Sequence, residues 1–187
     1  NTHGFVHYLS FGADEPIYLY GKPPAWLKRL PDADRYVTRT LNLFGDGTIG
    51  VENSATSLGD SGNYLTLSPW RWELTVSSPE RAILELLDEL PDHESFHIAD
   101  MAFESLSGLR PAKMQDLLEA CRSIKVKRLF LMFADRHNHA WRKYLDLKKV
   151  NLGSGPRALV EGGKFHPAYK ISVPAEYLPG QGDDDGA

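Results

Sequence analysis

Apolar side chains follow two different rhythms along this chain. Through residues 78–145 they recur three and four positions apart, while before Ser78 they tend to alternate with polar ones. The first rhythm is that of an amphipathic helix and the second that of a pleated strand. Residues 15–21 read as a short strand closed by Gly21, and Pro23 and Pro24 open a short turn or helix with Trp26, Leu27 and Leu30 on one face. Residues 35–44 read as a strand with Val37, Leu41 and Leu43 on one side. Gly45-Asp46-Gly47 then supplies a turn, and 49–51 is expected to return as the partner strand. A polar stretch, 53–63, reads as a loop, followed by strands at 64–67 and 72–76 with Pro69 bending the chain between them.

At Ser78 the period changes. Serine is a good N-cap, and Pro79 stands at the first helical position, where its missing N–H costs nothing. Ile83, Leu86, Leu87 and Leu90 then form a helical stripe ended by Pro91. Phe96, Ala99, Phe103 and Leu106 predict a second helix. Met114, Leu117, Leu118 and Cys121 predict a third, opened by Pro111. Val126, Leu129, Phe130 and Phe133 predict a fourth, although this run also fits a buried strand. Residues 139–145 add a helical turn, and 157–160 and 169–173 read as two strands around Gly162-Gly163. The order implies an α+β fold: a β-rich segment over 1–77, a central helical bundle and C-terminal β-hairpin over 78–178, and a flexible tail over 179–187. The first two are expected to form one compact domain.

Composition narrows the function classes. The single cysteine, Cys121, excludes an internal disulfide and a multi-cysteine zinc site. No apolar run reaches the roughly 20 residues that span a bilayer, so the expectation is a cytoplasmic protein without a membrane partner. The first residues, Asn-Thr-His-Gly-Phe, resemble neither a signal peptide nor a natural start, which suggests a longer parent protein. The net charge of −4 conceals a strong asymmetry. Residues 79–104 hold eight acids against Arg81 alone, a charge of −7, whereas 110–149 hold eleven bases against four acids, a charge of +7.

Catalytic motifs are absent from the sequence. There is no Gly-x-Ser-x-Gly elbow, no phosphate loop leading into a helix and no His-Glu-x-x-His. Leu152-Gly-Ser-Gly-Pro156 has the composition of a phosphate loop but is followed by a strand, so it reads as a turn. His137 and His139 are the nearest approach to a metal pair, yet two imidazoles fall short of the four ligands zinc usually takes. Glu80, Glu85 and Asp88 read as a solvated helix face. No enzyme, cofactor or metal is expected.

The basic run carries more information. Lys125, Lys127, Arg128, Arg136, Arg142 and Lys143 alternate with Phe130, Phe133, Trp141 and Tyr144. The aromatics suit a core, and the cations need an anionic counterpart: nucleic acid, an acidic partner or the chain's own acidic helix. Lys125, Arg128, Arg136 and Lys143 are the subset expected to face solvent. Helices followed by a hairpin also outline a winged helix, so a stand-alone nucleic-acid-binding module is the alternative reading.

Several long strings resemble one family. Ser78-Pro-Glu-Arg-Ala82, Leu109-Arg-Pro111, Leu117-Leu-Glu-Ala-Cys121, Lys125-Val-Lys-Arg-Leu-Phe-Leu131, His139-Ala-Trp141, Leu152-Gly-Ser-Gly155 and Tyr169-Lys-Ile-Ser-Val-Pro174 resemble the C-terminal domain of AbiEi-type antitoxins of type IV toxin–antitoxin and abortive-infection systems. Phe5-Val-His-Tyr-Leu and Ile17-Tyr-Leu-Tyr-Gly21 are similar to the segment before it, so the likeness covers about residues 5–176. The resemblance implies a bacterial, non-enzymatic antitoxin that counters a cognate nucleotidyltransferase toxin and represses its own operon. In that family an N-terminal winged helix-turn-helix meets operator DNA. This sequence lacks it, so the resemblance implies that DNA is met mainly by a part not present here. It supplies no catalytic residue.

Overall fold

The computed structural model describes residues 16–53 and 75–178. Four helices form its centre: α1 (Pro79–Asp88), α2 (Phe96–Glu104), α3 (Pro111–Ala120) and α4 (Ile124–Arg136). Each start has a local cause. Ser78, Ser95 and Ser123 accept the backbone N–H of Arg81, Ile98 and Val126 through their hydroxyls, at 3.4, 3.2 and 3.3 Å. Pro79 and Pro111 occupy first-turn positions where no N–H is needed. The fold class is α+β.

Helix α4 is the axis of the core. Nine consecutive residues, Val126 to Ala134, are buried, so the helix is enclosed on all sides. This settles the choice between helix and strand for the run. Phe103 stacks on Phe133 at 5.2 Å and tilts against Phe130 at 5.5 Å, while Trp141 covers Phe130 at 5.6 Å. Ile83, Leu87 and Leu90 on one stripe and Met114, Leu117 and Leu118 on the other enter the same cluster, and α1 lies against both α3 and α4. Leu86 is only partly buried at its edge.

The strands depart from expectation in two places. Only Tyr36–Arg39 (β2) of the 35–44 run is a strand, and it pairs in parallel with Ile17–Tyr20 (β1). Beyond it the chain dives inward. Leu43 and Phe44 join the helical core, Phe44 forms a bridge with Cys121, and the Arg122 N–H donates to the Leu43 carbonyl at 2.9 Å. The buried guanidinium of Arg81 donates to the carbonyls of Gly47 and Ile49, both at 2.7 Å, and binds the 45–50 turn to α1. Gly50 completes that approach. Its φ is +72°, and a β-carbon there would lie 3.0 Å from both Arg81 and Leu117. The returning strand is therefore not a partner of β2. Val51–Asn53 (β3) pairs antiparallel with Thr75–Ser77 (β4) instead. The expected strand at 64–67, most of the 53–63 loop, the segment before Pro16 and the tail lie outside the described residues.

The C-terminal β-structure is a three-stranded sheet, not a simple hairpin. Arg157–Ala158 (β5) runs parallel to Ile171–Val173 (β7), and Lys164–His166 (β6) lies antiparallel on its other side. The sequence reading missed β6. The true hairpin turn is 167–170, closed by the Lys170 N–H donating to the His166 carbonyl at 2.8 Å. Ile171 and Val173 seal the core, leaving Phe165 half exposed on the outer side.

The β1–β2 ribbon is attached differently. No residue of 16–42 belongs to the hydrophobic cluster. Tyr18 donates its hydroxyl to Glu94 at 3.1 Å, and Arg39 grips Glu89 through Nε at 2.7 and 2.8 Å. The expected apolar face of the 3-10 turn Ala25–Arg29 is not buried: Trp26 is 59% exposed and Leu30 36%.

Candidate binding surface

The six residues of the basic run have three different fates. Lys127 and Arg128 are buried, at 3% and 2% exposure. The expectation that Arg128 faces solvent is thus corrected. Helix α4 is enclosed on all sides, so its fifth residue has no solvent face. Arg128 donates from Nε to the Leu152 carbonyl at 2.8 Å and from Nη1 to the carbonyls of Gly155 and Lys170 at 2.8 and 3.0 Å. It ties the 150–156 loop to the sheet. Burial and the neighbouring Arg157 both push its pKa down. Burial also lowers that of Lys127, which has the Cys121 thiol as its electrostatic neighbour.

Lys125 is half-buried and donates to the carbonyls of Asp88 and Leu90, both at 2.7 Å, where it satisfies the C-terminal end of α1. Arg142 lies 2.7 Å from Asp135, but its Nε is not aligned for a hydrogen bond; its Nη2 donates to the Tyr169 hydroxyl at 3.2 Å. Tyr169 in turn donates to Asp135. Arg136 and Lys143 are the two exposed members. Arg136 still meets Asp100 at 3.1 Å and lies 5.3 Å from the Tyr177 ring, while Lys143 stands 5.1 Å from the Tyr144 ring.

The acidic half is equally engaged inside the fold. Burial pushes the Glu80 carboxyl up, but hydrogen bonds from the guanidinium and backbone of Arg110 outweigh that and hold it at about 2. Glu85 receives Arg81 at 2.7 Å and the Ser77 hydroxyl at 2.7 Å, yet its 5% exposure keeps its pKa above the ordinary value. Asp88 is the one member of the Glu80/Glu85/Asp88 set that meets the basic run, 3.9 Å from Lys125. Glu80 and Glu85, expected on a solvated face, are buried because they receive Arg110 and Arg81.

His137 and His139 serve a turn. Nε2 of His137 lies 2.7 Å from Asp100, and Nε2 of His139 lies 2.5 Å from the Phe103 carbonyl. Their rings stack in a row that continues to Trp141, which donates to the Leu106 carbonyl at 2.6 Å. The row fastens 137–141 to α2. Among the described residues no three His, Cys, Asp or Glu side chains gather in a metal-binding group.

Another set of cations faces solvent. Lys143, Lys148, Lys149, Arg157, Lys164 and Lys170 are exposed and form no ion pair among the described residues. Phe165, 50% exposed, stands beside Lys164. The sequence reading found only Lys143 of this set. Lys148 and Lys149 lie in the short 3-10 turn Leu147–Lys149, and Arg157, Lys164 and Lys170 lie in Gly- and Pro-punctuated segments without periodicity, where the missed strand β6 hid the pattern. By contrast, the outward positions of α3 include Asp116 and Glu119. Among the described helices, α4 is enclosed and α3 turns acids outward, so neither presents a basic recognition face.

Exposed cations without ion pairs are the chemistry that meets an anionic surface. No helix among the described residues is long and apolar enough to cross a membrane. No curated protein and no solved structure matches the chain. A family model does, over residues 14–174, and its description reads transcriptional regulator, AbiEi antitoxin, type IV toxin–antitoxin system. With that match covering most of its length and the resemblance of its long strings, the chain belongs to the AbiEi family, the antitoxin transcriptional regulators of type IV toxin–antitoxin systems.

Proposed function

We propose that this chain neutralises a cognate nucleotidyltransferase toxin and takes part in autorepression of its operon, without a catalytic step of its own. The observation that carries this reading is the division of labour among the charges. Lys125, Arg128, Arg81, Arg110 and their partners hold the fold, whereas Lys143, Lys148, Lys149, Arg157, Lys164 and Lys170 are left for an external anion. Unpaired surface cations steer association and are screened over about 8 Å at physiological salt. Of the original basic run, only Arg136 and Lys143 remain candidates for that surface. In autorepression these cations add backbone contacts to operator DNA.

The test is co-expression. Growth arrested by the product of the neighbouring gene is restored by this chain, and a reporter fused to the operon promoter measures repression. Failure to restore growth at confirmed expression overturns the antitoxin assignment. A pull-down with the same gene product separates direct capture from antagonism at a distance.

A further inference from the structure

The loop 151–157 holds polar groups that the antitoxin reading leaves unused. Its carbonyls turn inward: Leu152 and Gly155 both accept from Arg128 at 2.8 Å. Ser154 turns its carbonyl the same way, 3.4 Å from Nη2. A trans peptide directs its N–H opposite to its C=O, so the Gly155 amide, which follows the Ser154 carbonyl, points outward. The Gly153 amide is already taken by the Asn151 side chain at 2.9 Å. The amides of Ser154 and Gly155 and the Ser154 hydroxyl have no acceptor among the described residues. Gly153 and Gly155 flank Ser154 with φ of +64° and +67°, the left-handed region that glycine enters without strain.

The charge behind the loop is unusual. Arg128 is a buried guanidinium whose hydrogen bonds all go to neutral carbonyls, so no carboxylate offsets its charge. The charged group that acts on it is another cation, Arg157, which is exposed and forms no ion pair among the described residues. The Arg157 N–H donates to the Lys170 carbonyl at 2.9 Å, so the exposed Lys170 flanks the same spot. Uncompensated positive charge beside free amides and a free hydroxyl is the chemistry that receives a phosphate group. The sequence reading set this loop aside because no helix follows it. In the fold this loop lies against Ile124, the first residue of α4: a β-carbon on Gly153 would sit 3.3 Å from the Ile124 side chain.

We propose that the 152–157 loop is a phosphate-binding site, with the Ser154 and Gly155 amides, the Ser154 hydroxyl and the Arg157 guanidinium as ligands and Arg128 supplying charge from behind. Orthophosphate and a nucleic-acid backbone both present this group. The proposal stands apart from toxin antagonism, because free phosphate alone can test it.

The experiment follows backbone amide resonances of the whole chain during titration with sodium phosphate at constant ionic strength, with sodium chloride as the control. A second titration uses a short DNA duplex. The expected result is saturable movement of Ser154, Gly155 and Arg157 with phosphate and none with chloride. Arg157→Gln, at an exposed position, leaves the spectrum folded and weakens binding about tenfold, as the loss of one charge-assisted contact predicts. Ser154→Ala weakens it less. Movement with the duplex alone identifies the source as a nucleic-acid backbone and keeps the assignment. If neither ligand moves these amides, or Arg157→Gln leaves both titrations unchanged, the assignment is wrong.

Discussion

Arg110 closes on Glu80 through three groups at once: its backbone N–H and Nε both reach Oε1 at 2.9 Å, and Nη2 reaches Oε2 at 2.7 Å. One carboxylate on α1 thereby fixes the residue that caps α3, although thirty positions separate them. Glu80→Ala removes the acceptor of a backbone N–H as well as the ion pair. It is expected to cost about 1–3 kcal/mol, the usual penalty for a stranded donor, read as a shift of the urea midpoint. A midpoint equal to wild type would show that the contact is decorative.

The same carboxylate sets an acid limit. Its folded pKa of about 2 lies below the ordinary 4.5, so its stabilising contribution is complete above that ordinary value and is lost as the pH falls towards 2. Glu80→Gln lacks this titration. The stability difference between wild type and Glu80→Gln should therefore shrink from about pH 4.5 down to about pH 2, which denaturation at a series of pH values measures. A constant difference across that window contradicts the assignment.

Leu87 is fully buried on the α1 stripe that meets α3 and α4. Leu87→Ala should cost about 2–5 kcal/mol, the range for a leucine truncated in a packed core. Leu86, at the partly buried edge of the same stripe, should cost less when truncated. Equal losses at the two positions would mean that the helix is rotated from the orientation described.

Burial pushes the Cys121 thiol up to about 11, against the opposing pull of its Ser123 hydrogen bond. Thiolate is the reactive form, so alkylation at neutral pH should be negligible in the folded chain and should proceed at one thiol per molecule in denaturant. Rapid labelling of the native protein would place Cys121 at the surface.

Charge reversals separate scaffold from surface. Lys125→Glu loses two carbonyl contacts and sets a carboxylate against the negative end of α1, so it should lower stability by about 1–3 kcal/mol. Lys164→Glu, exposed and unpaired, should stay within about 0.5 kcal/mol of wild type, while weakening DNA or toxin binding. The melting temperature and a binding isotherm on each variant decide the matter, and the opposite pattern would return Lys125 to the partner surface.

The helices were legible because each carries its own signal. Ser78 and Pro79 start α1, and the Val126/Leu129/Phe130/Phe133 stripe places α4 in the core. The strands were less legible because their partners are chosen by tertiary contacts. Nothing within 35–53 reveals that Phe44 will bridge Cys121 or that Arg81 will take two carbonyls of the next turn, yet these contacts break the expected hairpin. The surface was the hardest to read. Lys125, Arg128 and Lys164 are all cations in sequence, and only the fold separates those that satisfy carbonyls from one that meets water.

The β1–β2 ribbon clasps the helical body through Tyr18–Glu94 and Arg39–Glu89 and not through a shared core. Such a joint is specific in direction but sensitive to salt and to single substitutions at either end. Because the ribbon adds no residue to the hydrophobic cluster, these polar contacts carry much of its attachment, and losing one of them leaves the helical packing intact. Evolution can therefore redesign or replace that ribbon without repacking the helices, and the two parts of the chain are free to diverge at different rates.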